Sequence, residues 1–506
     1  MTFSERASGV LLHPTALPGR YGIGTLGAQA CSFINWLKEA GQTYWQICPL
    51  TPTGYGDSPY QGFSAFAGNQ NLIDLDELME SGFLKESDLT ALNDLPDNYV
   101  DFGNLIPEKT KILHKAWKTY SLEIHLEDFD KKFSGFREEA ASWLDDFCLF
   151  MVIKTINSGE PWDKWESPLR FREPEALNKI RLEYSEEIAY HSFIQFLFHM
   201  QWIKLKKQAN LSGIRIIGDL PIFVAYDSAD CWANPDLFQL DVNLKPRYVA
   251  GVPPDYFSDT GQLWGNPLYN WDKMEENGFT WWISILKSKL EQYDALRIDH
   301  FRGFSAFWSV PFGEPTAVNG KWIPAPGSRL FKKIREVLGE LPIIAEDLGV
   351  ITHDVVELIN EFGLPGMKVL QFAFDSSEDN DYLPHNYDKN CLVYTGTHDN
   401  DTSSGWFLSA EEHDRTYALS YMNLPSDAEV KDVTSAMIRT ALASVSNLAI
   451  IPMQDILGLG SEARFNTPGT LGGNWRWRIK KHSLTPEKSS ELRELTLIYG
   501  RRGRNN

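Results

Sequence analysis

The chain has 506 residues, 43% of them hydrophobic, and a formal net charge of -20 at pH 7. A length of this order suits either two or three ordinary domains or one α/β barrel with insertions, and no run of about 18 apolar residues is present to cross a membrane as a helix. The acidic balance, with no Lys/Arg block to offset it, would repel a phosphate backbone, so nucleic acid is excluded as the expected partner and a neutral substrate is favoured.

Read from the N-terminus, the segment MTFSERASGVLLH lacks a charged region followed by a long apolar stretch, and the expected location is the cytoplasm. Eight short apolar runs then read as buried parallel strands: 9–13, 43–47, 214–219, 295–299, 343–347, 367–372, 392–396 and 448–453. Eight is the strand number of a (β/α)8 barrel. Amphipathic helical patterns such as AQACSFINWLKEAG and TWWISILKSKLEQY stand between several of them. The spacing is uneven, because roughly 165 residues separate the second run from the third, against about 30 in the simplest βαβ unit. That stretch, 51–210, opens with TPTGYGDSPYQGFSAFAGNQN and turns mostly helical, and is expected to form inserted helical subdomains after strand two. A second insertion after strand three, 241–271, carries VAGVPPDYFSDTGQLWGNPLYNW and is expected to be a long ordered loop serving as a lid. The chain as a whole, 1–506, is expected to be one catalytic barrel.

Cys31, Cys48, Cys148, Cys231 and Cys391 are odd in number, scattered and free of any C-x-x-C pair, which reads as reduced core thiols with no metal site. Gly22-Ile23-Gly24-Thr25-Leu26-Gly27 matches the G-x-G-x-x-G pattern, but it stands too far past its candidate strand for a tight strand-to-helix turn, and no acid follows about 20 residues later for a ribose. No H-E-x-x-H, G-x-S-x-G or Walker-type loop occurs. No cofactor and no metal are therefore expected. The seventeen tryptophans mostly serve packing, although aromatic faces also stack on pyranose rings.

Four of the apolar runs end in an acid: IRIIGDLPIF at Asp219, DALRIDHFRGF at Asp299, LPIIAEDLG at Glu346 and LVYTGTHDNDT at Asp399. Strand C-termini form the mouth of a barrel, where its chemistry is kept. Any one of these acids could be a helix N-cap; four in one register point to catalysis. Retaining glycosyl transfer needs an ionised nucleophile and a protonated acid about 5 Å apart. Asp299 and Glu346, on neighbouring strands, suit these roles, with Asp399 stabilising the oxocarbenium-like state. Arg297 lies two residues before Asp299, on the same strand face, and is expected to depress the nucleophile's pKa. Glu346 needs a raised pKa, with Asp347 facing away. His300 and His398, each beside a strand-end acid, are read as substrate contacts without metal-ligand spacing.

The segments GYGDSPYQGFSAFAGN, GDLPIFVAYDSADCWANPDLF, DALRIDHFRGF, IIAEDLG and YTGTHDNDT together resemble the amylomaltases, or 4-α-glucanotransferases, of the α-amylase clan. The resemblance runs from GVLLHPTALPG to RFNTPGTLGGNWRWR, essentially the whole chain. It implies a (β/α)8 barrel that transfers α-1,4-glucan segments between maltodextrins, with Asp299 as nucleophile, Glu346 as acid/base and Asp399 as transition-state stabiliser. It also places Ser58, Tyr60, Asp219, Arg297, His300, His398 and Asn466 around the donor sugar, and Asp255 and Trp264 on a loop over bound glucan. Tyr55 is implied in a secondary glucan site, where Val100-Asp101-Phe102 departs from the tyrosine of some relatives. The expected partners are α-1,4-glucans as donor and acceptor. An α-glucan hydrolase using the same groups, and a glucan-binding protein on an inactive barrel, remain as alternatives at this level.

Overall fold

The computed structural model describes every residue except 1, 2, 4, 124, 125, 255–257, 376, 471 and 504–506. In chain order the strands are β1 (Ala7–Leu11), β2 (Tyr44–Gln46), β3 (Arg215–Pro221), β4 (Tyr248–Val252), β5 (Gln262–Pro267), β6 (Ala295–Asp299), β7 (Ala306–Pro311), β8 (Lys321–Pro324), β9 (Ile343–Ala345), β10 (Gly366–Val369), β11 (Cys391–Tyr394) and β12 (Leu448–Pro452). Eight of them form one parallel sheet in the order β10-β11-β12-β1-β2-β3-β6-β9. Each of the eight predicted strands falls on one of these.

The two edges of that sheet, β9 and β10, meet through the Ala345 amide donating to the Pro365 carbonyl at 2.9 Å. Asp347 completes the seam by accepting from the Met367 amide at 2.6 Å. The sheet thereby curls into a (β/α)8 barrel, and Asp347 is used in closing it, facing away from the mouth as the sequence suggested.

Strand alternation explains the layers. Leu11, Tyr44, Ile217, Ala295, Ile344, Met367, Leu392, Tyr394 and Ile450 pack together inside the barrel. Their sequence neighbours Val10, Trp45, Ile216, Leu296, Ile343 and Val393 pack outward against helices such as Ala28–Glu39 and Thr280–Gln292, which contribute Phe33, Ile34, Trp282 and Ile285. Gly218 permits one such contact: a Cβ there would stand 2.2 Å from the Tyr293 ring, so only glycine lets that helix end approach β3. The inward parity continues upward from Ile217 to Asp219, from Ala295 to Arg297 and Asp299, and from Ile344 to Glu346. Polar groups therefore crown an apolar interior.

Between β2 and β3 the chain runs through helices Phe102–Glu123, Glu127–Glu139, Leu144–Ile156, Pro174–Glu183 and Ser185–Leu211. The stretch 241–271 differs from the long ordered loop expected of it in having strands of its own. It contains β4 and β5, which join β7 and β8 in an antiparallel sheet of order β5-β4-β7-β8. These strands escape sequence detection because Gly and Pro interrupt them, β5 and β8 are half exposed, and a register shift between Val249 and Gly251 breaks their alternation. Among the described residues no helix is long and apolar enough to cross a membrane.

Candidate active site

Two of the acids at the barrel mouth, Asp219 and Asp299, are joined through one buried cation. Register pairs Asp219 with Arg297 across β3 and β6, and the Arg297 guanidinium, 4% exposed, donates through Nη1 to Asp219 Oδ2 at 2.5 Å and through Nη2 to Asp299 Oδ1 at 2.8 Å. Asp219 Oδ2 also accepts from the Tyr60 hydroxyl at 2.6 Å. Arg297 and Tyr60 thus both bond one oxygen of Asp219, whose Oδ1 is buried without a partner among the described residues, while Asp299 keeps its second oxygen free of protein donors among the described contacts.

Glu346 reaches the same mouth from the neighbouring strand. Ile298 and Ala345 are the last register partners of β6 and β9, so Asp299 and Glu346 are the next residues beyond the ladder, about one strand spacing of 4.8 Å apart along the backbone. The turn after β6 places His300 in a left-handed conformation (φ 54°, ψ 48°), costing roughly 1 kcal/mol or more for a residue with a side chain. That strain has a visible use, because the His300 amide donates to Glu346 Oε2 at 2.7 Å, and the Leu348 amide donates to Oε1 at 3.0 Å. Both oxygens of the carboxyl are therefore fixed in direction.

Charge and burial set the protonation of the pair. Burial raises Glu346 from 4.5 to about 8, overcoming the Arg297 charge and its two backbone donors, with the Asp299 charge adding to the rise. Burial likewise raises Asp299 to about 6; Arg297 opposes this, while Asp219 and Asp399 reinforce it. The depressed pKa expected for Asp299 is therefore corrected. The Arg297 charge is divided between two carboxylates, and desolvation at the bottom of the cleft exceeds the share that reaches Asp299. The order needed for chemistry survives, since the aspartate still ionises before the glutamate.

Asp399 lies on the loop after β11, across the mouth. Burial acts to raise its pKa, but the His398 charge and hydrogen bond, the Asn466 amide and Arg297 together hold it down at about 2. His398 Nε2 stands 3.3 Å from Asp399 Oδ2, and Asn466 Nδ2 donates to Oδ1 at 2.6 Å. Burial alone would lower the His398 pKa, yet Asp399 raises it on balance. The His398 ring stacks on Tyr60 with centroids 5.1 Å apart and 14° between planes.

Of the other residues singled out by the sequence, Ser58 accepts from the Tyr60 amide at 3.3 Å and shapes the turn that presents Tyr60. Trp264, on β5, meets the His300 ring edge-on with centroids 4.7 Å apart, so the antiparallel sheet reaches the residue whose amide holds Glu346. Asp255 lies outside the described residues. Tyr55 begins a short turn, Tyr55–Asp57, and its side chain is likewise outside the description. Sequence reasoning missed Trp475, whose ring lies 5.7 Å from Tyr60 and 5.9 Å from His398, and Arg464, which donates to the Asp399 carbonyl at 2.8 Å. Both flank Asn466 in RFNTPGTLGGNWRWR, so the signal was proximity to a residue already chosen.

Two carboxyl groups of staggered pKa on adjacent strands, a third held ionised opposite them and an aromatic wall are the parts a retaining glycosyl transfer needs. Comparisons with known proteins agree. A family model described as 4-alpha-glucanotransferase matches residues 12–485. The 4-alpha-glucanotransferase of Thermus thermophilus is similar at 51% identity over 497 residues, covering 97% of this chain and 98% of its own. The chloroplastic/amyloplastic 4-alpha-glucanotransferase of Solanum tuberosum is 44% identical, covering 98% of this chain and 87% of its own. Among solved structures, the amylomaltase from Streptococcus agalactiae in complex with acarbose superposes with a TM-score of 0.95 at 44% identity, covering 98% of this chain and 100% of that one. On this fold, this mouth and these likenesses, the chain belongs to the 4-alpha-glucanotransferase family.

Proposed function

We propose that this chain transfers α-1,4-glucan segments between maltodextrins by a retaining double displacement. The observation that carries the reading is the pair of carboxyls at the ends of neighbouring strands, Asp299 held by the Arg297 guanidinium and Glu346 by two backbone amides, with burial raising the glutamate further than the aspartate so that one is ionised while the other is protonated. Glu346 gives its proton to the glycosidic oxygen while an Asp299 oxygen attacks C1, so the C1–O bond to the leaving glucan breaks and a β-linked glycosyl ester forms. Glu346, now a carboxylate, takes the proton of an acceptor 4-hydroxyl as that oxygen attacks C1. The ester breaks, Asp299 is released as a carboxylate and the α-1,4 link is restored.

Asp399, held ionised at about 2, supplies negative charge beside the developing oxocarbenium ion. Tyr60, stacked on His398, offers an aromatic face to the donor sugar. The sheet that carries Trp264 supports transfer over hydrolysis, because an ordered acceptor at high effective concentration competes with water. In this reading the helical stretch 51–210 and the ribbon within 241–271 frame the cleft of a single catalytic barrel. All five cysteines are free thiols, which supports a reducing compartment such as the cytoplasm.

Incubation with maltotriose tests the proposal. Longer maltodextrins plus glucose at constant total reducing ends are expected. Rising reducing ends would make the chain a hydrolase, and unchanged maltotriose with folded protein would overturn catalysis on this substrate.

A further inference from the structure

Beside His398 a small cavity of about 20 Å³ lies between the loops that follow β1 and β11. Its polar lining is His13, Thr397, His398 and Gln454, with Cys48 and Phe465 closing the sides. The predicted first strand extended to His13, but β1 ends at Leu11, and His13 instead precedes the turn Pro14–Ala16. It is 5% exposed, and its Nδ1 is buried without a hydrogen-bond partner among the described residues. The Cys48 carbonyl lies against the same ring, and a neutral imidazole that turns its one proton toward that carbonyl through Nε2 leaves Nδ1 as a bare acceptor.

A buried acceptor without a donor costs about 1–3 kcal/mol, and a space of this size in a polar lining holds one water. We propose that the cavity binds a single water that donates to His13 Nδ1 and accepts from the ring nitrogen of His398 that Asp399 does not use, making His13 a positioning residue for the His398–Asp399 pair. The donor-site role of that pair rests on the proposed function; the water bridge itself does not. His13 is suited to the task because burial and the nearby His398 charge keep it neutral, lowering its pKa to about 3. A second cation facing His398 would instead weaken the attraction of Asp399. The other ionisable groups that face His398 are Asp399, Asp219, Arg297, Tyr60 and Cys48, each anchored by its own contacts.

The bridge favours protonated His398, because the water oxygen then accepts a charge-assisted N–H from the imidazolium, whereas toward neutral His398 the same water can only turn its second O–H to the bare nitrogen, a weaker bond. Selective 13C labelling of the histidine rings allows the His398 titration to be followed by NMR in the wild-type protein, in His13→Leu and in His13→Asn, whose amide oxygen stands near the former Nδ1. His13→Leu is expected to lower the His398 pKa by about one unit, and His13→Asn to restore most of it. An unchanged His398 titration in folded His13→Leu would overturn the bridge. If His13→Leu fails to fold, a crystal structure of the wild-type protein decides, with water density between the two rings upholding the proposal and a dry cavity sinking it. Neither readout uses turnover, so failure of the bridge and failure of the transferase reading are told apart.

Discussion

Replacing Glu346 by glutamine should harm the reaction and help the fold, and the pH at which each effect appears follows from one number. In the folded protein Glu346 ionises at about 8 rather than 4.5, chiefly because it is buried. The folded state thus holds its proton more tightly than the unfolded chain does. The stability this gives is complete below about pH 4.5 and is lost as pH rises through 8. At about 1.4 kcal/mol for each pKa unit, the displacement amounts to roughly 5 kcal/mol by pH 9, a ceiling because Arg297 and the two amide donors relax when the charge changes. With an unfolding entropy near 2 cal/mol/K per residue, that corresponds to a Tm difference on the order of 5 °C for a chain of this size. Calorimetry of wild type and Glu346→Gln at pH 5 and pH 9 should show similar midpoints at the lower pH and a more stable variant at the higher. Maltotriose transfer by the variant should fall by about 10²–10⁴-fold, the usual contribution of a general acid. A Tm difference that is the same at both pH values, or wild-type transfer undiminished above pH 9, would refute the assignment of a buried, protonated Glu346.

Arg297→Met removes the cation shared by Asp219 and Asp299; we expect a loss of about 3–5 kcal/mol in stability and an acid limb of the kcat/KM profile that moves to higher pH, because Asp299 loses the charge that lowers its pKa. A limb that stays in place would show that Arg297 does not act on Asp299. Asp299→Asn should reduce transfer by at least about 10³-fold and yield no glycosyl-enzyme adduct by intact mass spectrometry, where wild type quenched with substrate gives one. Trp264→Ala leaves the carboxyls in place but opens the sheet side of the mouth, and should raise the fraction of turnovers ending in new reducing ends by about tenfold. An unaltered product ratio would remove Trp264 from acceptor selection.

Much of this arrangement was written in local sequence pattern. The eight barrel strands are short apolar runs, and their alternation carries through into Asp219, Arg297, Asp299 and Glu346, so parity alone aims these four into the barrel mouth. The identity of the acids at the ends of β3, β6 and β9, and of Asp399 past β11, follows from the same reading. Trp475, Arg464 and His13 were not legible in this way, because their contacts join segments far apart in the chain and no periodicity marks them. The antiparallel sheet within and after 241–271 was also hidden, since Gly and Pro interrupt its strands, β5 and β8 are half exposed, and a register shift breaks the alternation. The direction of the Asp299 pKa was decided by tertiary structure alone. Sequence supplies the neighbouring arginine, but the competing desolvation depends on how deeply the surrounding loops bury the mouth and on how many carboxylates share one guanidinium. Strand parity is a local property of the chain, whereas the dielectric around a charge belongs to the whole fold.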